Sequence, residues 1–78
     1  MEIKDIHAGL RVKYVSNNHG DYPSNPLWGG KLGKIGGTVT SDQGYIEVRW
    51  DNGEHNSYSE YDLEPLDAPG GEMISIWR

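Results

Sequence analysis

The segment "VRWDNGEHNSYSEYDLEPL", residues 48–66, carries the strongest structural pattern of the chain. Apolar and polar residues alternate up to Trp50, which is typical of a strand with one buried face. The pair Asn52-Gly53 then predicts a two-residue type I′ turn, with Asp51 accepting hydrogen bonds from turn amides. A second strand in "EHNSY" follows this turn. The segment therefore begins with a β-hairpin in which Trp50 ends a strand in the core.

The rest of the segment, "SEYDLEPL", predicts one tight 3₁₀ turn and a short last strand at residues 63–66. Upstream, "LRVKYV" (residues 10–15), "IGGTVT" (35–40) and "YIEVRW" (45–50) predict three more strands, with a turn at 41–44. Their alternation predicts an inward set of Leu10, Val12, Tyr14, Ile46, Val48 and Trp50. Five short strands with glycine bends predict an all-β fold, a small, strongly bent barrel in which full closure removes exposed edges.

Length and composition are those of one small domain of 78 residues with 11 Gly, 4 Pro and no Phe. The three Trp and five Tyr must therefore fill the large core positions. No Cys is present, which excludes disulfides, thiolate zinc sites and a cysteine nucleophile. We expect a reducing compartment, the cytoplasm, since no apolar leader or membrane-spanning stretch appears in the sequence.

The net charge of −5 is unevenly distributed along the chain. Residues 1–40 carry five basic and three acidic residues, whereas residues 41–78 carry two basic and nine acidic ones. Non-specific nucleic-acid affinity comes mainly from neutralising phosphates, so this acidity disfavours it. The same acidity favours a basic partner.

A set of short motifs resembles the SH3-like barrel of the Mind-bomb/HERC type, which occurs in large ubiquitin ligases. The motifs are Gly9-Leu10-Arg11-Val12, Trp28-Gly29-Gly30, Gly37-Thr38-Val39, Val48-Arg49-Trp50-Asp51-Asn52-Gly53, Asn56-Ser57-Tyr58 and Asp62-Leu63. The resemblance covers residues 8–66 and implies a five-stranded SH3-like barrel, a fold that hosts many unrelated functions. The stretch "GKIGGTV" is also similar to the KOW element of ribosomal and transcription-elongation proteins, with one glycine too many. A lone acidic module of this size resembles small bacteriophage or bacterial accessory proteins, which for a viral protein implies the host cytoplasm.

The C-terminal segment differs in character from the rest of the chain. We predict that residues 1–67 form the SH3-like barrel and that 68–78 form a Pro-Gly-Gly hinge with a strand or tail. Ile74 and Ile76 are predicted to face the barrel as an added strand, in cis or swapped onto a second copy. The protein is thus a monomer or a tail-mediated homodimer. The alternative is a tail that binds a partner.

Metal and nucleotide sites lack the residue spacing that they need. The histidines His7, His19 and His55 are far apart, so we expect exposed side chains and no metal. The glycine-rich stretch 29–37 lacks the Gly-Lys-Ser/Thr of a P-loop, and no cofactor is predicted.

Catalytic groups are also not arranged in a recognisable motif. Ser57 and Ser59 lie near His55, but adjacent strand residues point to opposite faces and no nucleophile elbow is present. Glu60 and Asp62 are interpreted as solvated turn acids. The sequence predicts a protein that is not an enzyme.

The remaining pattern is an excess of aromatic residues around the long polar loop of residues 16–30. The leading prediction is a non-catalytic module that binds a protein or peptide in a shallow groove. That groove is predicted to be lined by Tyr14, Tyr22, Trp28, Tyr58 and Tyr61. The competing interpretation of Trp28 and Tyr58 is that they cap the barrel.

Two other functions remain open. One is KOW-like nucleic-acid binding through Lys13, Lys31 and Lys34 beside Trp28. The other is an acidic decoy that mimics nucleic acid and blocks a basic protein.

Overall fold

Five short antiparallel strands form between residues 6 and 66, which are the residues that the computed structural model describes. They are β1 (Arg11–Tyr14), β2 (Gly37–Ser41), β3 (Ile46–Trp50), β4 (His55–Tyr58) and β5 (Leu63–Pro65), with a 3₁₀ turn at Glu60–Asp62. The all-β class, the five short strands and the 3₁₀ turn are confirmed. The predicted hinge and added strand at residues 68–78 lie outside the described residues.

The strands form one sheet in the order β4-β3-β2-β1-β5, and this sheet is not closed. The complete closure predicted from the sequence is therefore wrong. Edge strand β4 is covered instead by the long loop, because Asn56 Nδ2 donates to Asn25 Oδ1 at 2.9 Å. The Tyr58 hydroxyl lies 2.9 Å from the carbonyl oxygen of Ser24 in the same loop. In a closed barrel a neighbouring strand would cover β4, whereas here residues of the loop cover it.

Alternation along β3 is as predicted, with Ile46, Val48 and Trp50 buried and the residues between them exposed. Trp50 packs over β2 at Gly37, where an added Cβ would lie 2.5 Å from Trp50 Cε3. The core consists of Ile6, Val12, Tyr14, Val39, Ile46, Val48, Trp50, Tyr58 and Leu63. Burying each large apolar side chain stabilises the fold by roughly 1.5–3 kcal/mol.

The β3–β4 turn has three residues and is not the predicted type I′ turn. Trp50 N donates to Glu54 O at 2.7 Å, which leaves Asp51, Asn52 and Gly53 as the loop. A type I′ turn needs a positive φ at both central residues. Gly53 has a φ of 93°, but in residues 6–66 the non-glycine residue with a positive φ is Asn17, so the φ of Asn52 is not positive. A type I turn followed by a left-handed glycine is the usual three-residue hairpin loop.

Asp51 does not bond turn amides as predicted. Its carboxylate instead accepts two hydrogen bonds from the Arg11 guanidinium on β1, at 2.8 and 2.6 Å. These bonds hold the pKa of Asp51 below its ordinary value. Because both side chains are about half exposed, the pair contributes about 1 kcal/mol at most.

Candidate functional site

Asp62 is the centre of a buried polar cluster that joins the 3₁₀ turn to the long loop. Only 2% of the residue is exposed, so its interpretation as a solvated acid is wrong. Ser16 Oγ and Asn18 Nδ2 donate to its Oδ1 at 2.7 and 3.1 Å. His19 Nε2, Ser59 N and Ser59 Oγ lie 3.0, 3.1 and 3.2 Å from its Oδ2. The carboxylate is therefore bonded both to the long loop and to Ser59 at the start of the 3₁₀ turn.

These donors keep the carboxylate ionised although it is buried. Burial alone would raise the pKa of Asp62, but the hydrogen bonds from Ser16, His19, Asn18 and Ser59 together outweigh it. The pKa therefore lies well below its usual range. A buried carboxylate with this many donors is a structural group that fixes the segments bonded to it.

A serine, a histidine and an aspartate meet here, but not in the order of a catalytic triad. In a triad, the serine hydroxyl bonds the histidine and the aspartate orients the other ring nitrogen. Here both serine hydroxyls donate to Asp62 itself. His19 uses Nε2 for Asp62, and no serine hydroxyl within residues 6–66 bonds a histidine ring. The hydrogen bonds of the cluster therefore do not form a catalytic triad.

A second chain of buried hydrogen bonds runs from the core into the same loop. Trp50 Nε1 donates to the Tyr58 hydroxyl at 3.1 Å, and that hydroxyl lies 2.7 Å from Asn25 Oδ1. Asn25 Nδ2 donates to the carbonyl of His19 at 3.2 Å. Burial raises the pKa of Tyr58 to about 12, with Trp50 acting in the opposite direction. Asn25 is not predicted from the sequence, because no spacing pattern distinguishes a buried loop asparagine.

The five predicted groove residues divide into buried and exposed groups. Tyr14 and Tyr58 are 0% and 1% exposed, so they belong to the core and do not line a groove. The interpretation of Tyr58 as a structural residue is the correct one. Trp28 is half-buried, whereas Tyr22 and Tyr61 are 56% and 79% exposed. Only these three can contact a ligand at the surface.

The predicted lysines lie against two of these rings. Lys13 Nζ is 5.3 Å from the centroid of the Trp28 ring, and Lys31 Nζ is 5.7 Å from that of Tyr22. Both distances are within the range of a cation–π interaction, about 6 Å. Lys13 is buried, whereas Lys31 and Lys34 are exposed. We call Lys13, Tyr22, Trp28 and Lys31 the lysine–aromatic surface.

The backbone under this surface is held by a single carboxylate and a short bridge. Asp21 Oδ1 accepts from Leu27 N at 3.3 Å, and its Oδ2 accepts from Lys31 N at 2.8 Å. Tyr22 and Asn25 exchange two backbone hydrogen bonds of 3.1 and 2.8 Å. The loop therefore presents the Tyr22 ring from an ordered backbone.

Two shallow depressions lie elsewhere, and none of their lining residues is buried. One, of about 340 Å³, is lined by His7, Gly9, Leu10, Arg11 and Leu66. The other, of about 270 Å³, is lined by Thr40, Glu47, Arg49 and His55. Within the described part of the chain, no group of three or more acidic or histidine side chains is placed to hold a metal ion.

Comparison with known proteins gives no match. No protein-family model matches the chain, and no curated protein or solved structure matches it either. Among residues 6–66, no helix is long and apolar enough to cross a membrane. The resemblances to the Mind-bomb/HERC-type barrel and to the KOW element stay predictions from the sequence.

Proposed function

We propose that this protein is a non-catalytic module that binds a protein or peptide through the lysine–aromatic surface. The observation that carries the proposal is Tyr22, a large ring 56% exposed on a loop held by buried groups. Leu32, which follows Lys31 in the chain, is another exposed apolar side chain, at 40%. A ring presented from an ordered backbone loses little conformational entropy on binding, which favours affinity.

Side chains are better suited than strand edges to make this interaction. At edge strand β5, Pro65 has no N–H to offer to an added strand. At edge strand β4, the N–H of Ser57 already donates to Asn56 Oδ1 at 2.9 Å. Both edges therefore discourage strand addition, a common protection against edge-to-edge pairing.

The test is selection from a displayed random-peptide library, followed by affinity measurement on two single variants. Tyr22→Ala is expected to weaken binding of the selected peptides about tenfold or more, as for a buried aromatic contact. Tyr45→Ala is the matched control, because Tyr45 is also an exposed tyrosine, at 75%, but it directly precedes β3 and is not part of the lysine–aromatic surface. Failure to select any peptide, or equal binding by Tyr22→Ala, would contradict the proposal.

Nucleic-acid binding is the second candidate, and the two lysine–ring pairs favour it. Stacking of bases on aromatic rings beside lysines is a common mode of single-strand recognition. Titration with a single-stranded oligonucleotide at low salt tests this candidate, because phosphate contacts are strongest there. The absence of binding at low salt would remove it.

A further inference from the structure

The pair Asn52-Gly53 is the only place in the sequence where a glycine follows an asparagine. The amide of an asparagine side chain is open to attack by the backbone nitrogen of the next residue. Glycine leaves that nitrogen least hindered, because it has no Cβ. Both residues are exposed, at the end of the β3–β4 hairpin. This turn therefore carries the residue pair of the chain that is best suited to spontaneous deamidation.

The reaction needs no group other than the chain itself and solvent water. Gly53 N attacks Asn52 Cγ and gives up its proton, a succinimide ring closes, and Nδ2 leaves with that proton as ammonia. Water then adds to either carbonyl of the ring and opens it. The product is aspartate, or isoaspartate in which the main chain continues through Cγ. Either product adds a negative charge to the turn, as other charge-changing modifications do.

In the folded protein, hydrogen bonds hold the reacting groups in place. Asn52 Nδ2 donates to the carbonyl oxygen of Pro23 at 2.9 Å, and Oδ1 accepts from Glu54 N at 2.9 Å. The nucleophile is also engaged, because Gly53 N donates to Trp50 O at 2.9 Å. Ring closure must turn the amide plane and free this nitrogen, so these bonds have to open first.

From these contacts we propose that Asn52 is a modification site that reacts when the long loop leaves the β3–β4 turn, and that its product keeps the loop apart from the turn. The bond to Pro23 joins the turn to the long loop, whereas the bonds to Glu54 and Trp50 lie within the hairpin. Release of the loop therefore frees the leaving group, Nδ2. The inference goes beyond the proposed function and requires no ligand.

The products cannot restore the contact with the loop. In aspartate an oxygen replaces Nδ2, and this oxygen faces the carbonyl oxygen of Pro23, which is also an acceptor. Isoaspartate adds one carbon to the main chain between Trp50 and Glu54, whose N–H···O bond of 2.7 Å closes the hairpin loop. A longer loop no longer fits that closure. The modification is consequently one-way, and modified molecules accumulate with time.

The first experiment compares the reaction in the folded and the unfolded full-length protein. Both are incubated at neutral pH, one in buffer and one in concentrated urea, and peptide mapping by mass spectrometry resolves aspartate and isoaspartate at each asparagine. We expect Asn52 to be the main site, and to react about tenfold or more slowly in the folded protein, because its hydrogen bonds must open first. Equal rates in the two samples, or a main site at another asparagine, would overturn the proposal.

Asn56→Ala tests whether the loop controls the reaction. The substitution removes the hydrogen bond of 2.9 Å from β4 to Asn25 in the long loop and does not touch Asn52. Easier loop release should raise the rate in the folded protein about threefold or more and leave the rate in urea unchanged. Ser57→Ala is the matched control, an exposed neighbour on β4 whose hydroxyl makes no hydrogen bond among residues 6–66.

Hydrogen exchange of the β3 amides distinguishes loop release from global unfolding in the same variant. These amides should exchange as slowly as in the parent protein. If the Asn56→Ala variant deamidates no faster than the parent, the control by the loop is overturned. The same conclusion follows if its deamidation accelerates only in proportion to exchange in β3, because the reaction would then follow global unfolding.

The state of the loop after the reaction is measured on the purified product and on Asn52→Asp. The backbone amides of Tyr22 and Asn25 bond each other's carbonyls at 3.1 and 2.8 Å, and they report on the order of the loop. We expect them to exchange about threefold or more faster in both proteins than in the parent. Unchanged exchange in both would overturn the release of the loop. None of these measurements uses a ligand, so their failure is distinct from a failure of peptide binding.

Discussion

Replacing Asp62 by Asn should destabilise the protein strongly, although the side chain keeps its size. The carboxylate now accepts hydrogen bonds on both oxygens, from Ser16 and Asn18 on one and from His19 and Ser59 on the other. An amide places an NH₂ against one of these donor groups and leaves buried N–H or O–H groups without an acceptor. We expect a cost of about 3 kcal/mol, since bonds to a charged group contribute about 1.5–3 kcal/mol and unmet buried donors cost about 1–3 kcal/mol.

That cost is large for a domain of this size. Small domains have unfolding free energies near the low end of about 5–15 kcal/mol, and 1 kcal/mol corresponds to about 4–8 °C in Tm. The Asp62→Asn variant should therefore melt about 15 °C below the parent protein at pH 7. The measurement is thermal unfolding followed by circular dichroism and Trp fluorescence.

The pH dependence gives an independent check of the same bond network. The pKa of Asp62 is lower in the folded protein than in the unfolded chain, so its ionisation stabilises the fold at neutral pH. That stabilisation is lost as the pH falls from about 4, the unfolded pKa, towards the lower folded pKa. We therefore expect the difference in stability between the parent and Asp62→Asn to narrow between pH 4 and pH 2.

Glu64→Gln is the matched control for this prediction. Glu64 lies two residues further on β5, is half-buried and accepts no side-chain hydrogen bond from the described residues. Its substitution should shift the Tm by no more than a few degrees. A parent-like Tm and acid profile in Asp62→Asn would refute the conclusion that this carboxylate holds the loop.

Three further substitutions test other parts of the structure. Tyr58→Phe should cost about 1–3 kcal/mol in urea unfolding, because Trp50 Nε1 loses its acceptor. It should also remove the fall in stability that the parent shows between about pH 10 and pH 12, where the raised pKa of Tyr58 makes ionisation destabilising. Gly37→Ala should cost about 1–3 kcal/mol in the same assay, since its Cβ would lie 2.5 Å from the Trp50 ring; a neutral result would contradict that packing. Asn52→Asp should cost about 1 kcal/mol, seen as a lower Tm, because its Nδ2 now donates to Pro23 O at 2.9 Å and a carboxylate cannot.

The parts of the fold that follow from local patterns could be predicted from the sequence. Alternation in β3 identifies Ile46, Val48 and Trp50 as core, and the order of strand, turn and strand follows from it. The predicted type of turn is wrong, because Asn-Gly occurs both in two-residue loops and in three-residue loops that end in glycine. The hydrogen bond from Trp50 N to Glu54 O selects the three-residue loop. This bond depends on how β3 and β4 pair in the sheet and not on the turn residues alone.

The buried role of Asp62 could be predicted only in part. Ser59 and Asp62 have the spacing of a capping box, and Ser59 N donates to Asp62 Oδ2 at 3.1 Å as in that motif. This spacing predicts a local bond from Asp62 to the Ser59 N–H. The donors Ser16, Asn18 and His19 lie 43 to 46 residues away in sequence, and no periodic pattern indicates such contacts.

The composition explains why Tyr14 and Tyr58 are buried although they were predicted to line a groove. Without Phe, the core must take its large rings from tyrosine, and Tyr14 and Tyr58 fill those positions. Each buried hydroxyl then needs a partner: Tyr14 donates to Gly20 O at 2.9 Å, and Tyr58 contacts Asn25. Fewer tyrosines are therefore exposed to a ligand than the composition predicts.

Those same buried hydroxyls explain how a polar loop holds the lysine–aromatic surface in place. The loop is bonded to Asp62 through His19 and to Tyr58 through Asn25, and Tyr22 lies between these two points in the chain. The position of Tyr22 is thus determined by polar groups in the core and by Asp21. The Asp21 carboxylate accepts hydrogen bonds from the backbone N–H groups of Leu27 and Lys31. The stability of the core and the order of the lysine–aromatic surface consequently depend on the same hydrogen bonds. A substitution at Asp62 should weaken peptide binding even under conditions in which the variant remains folded, because the free loop would then have to be ordered on binding.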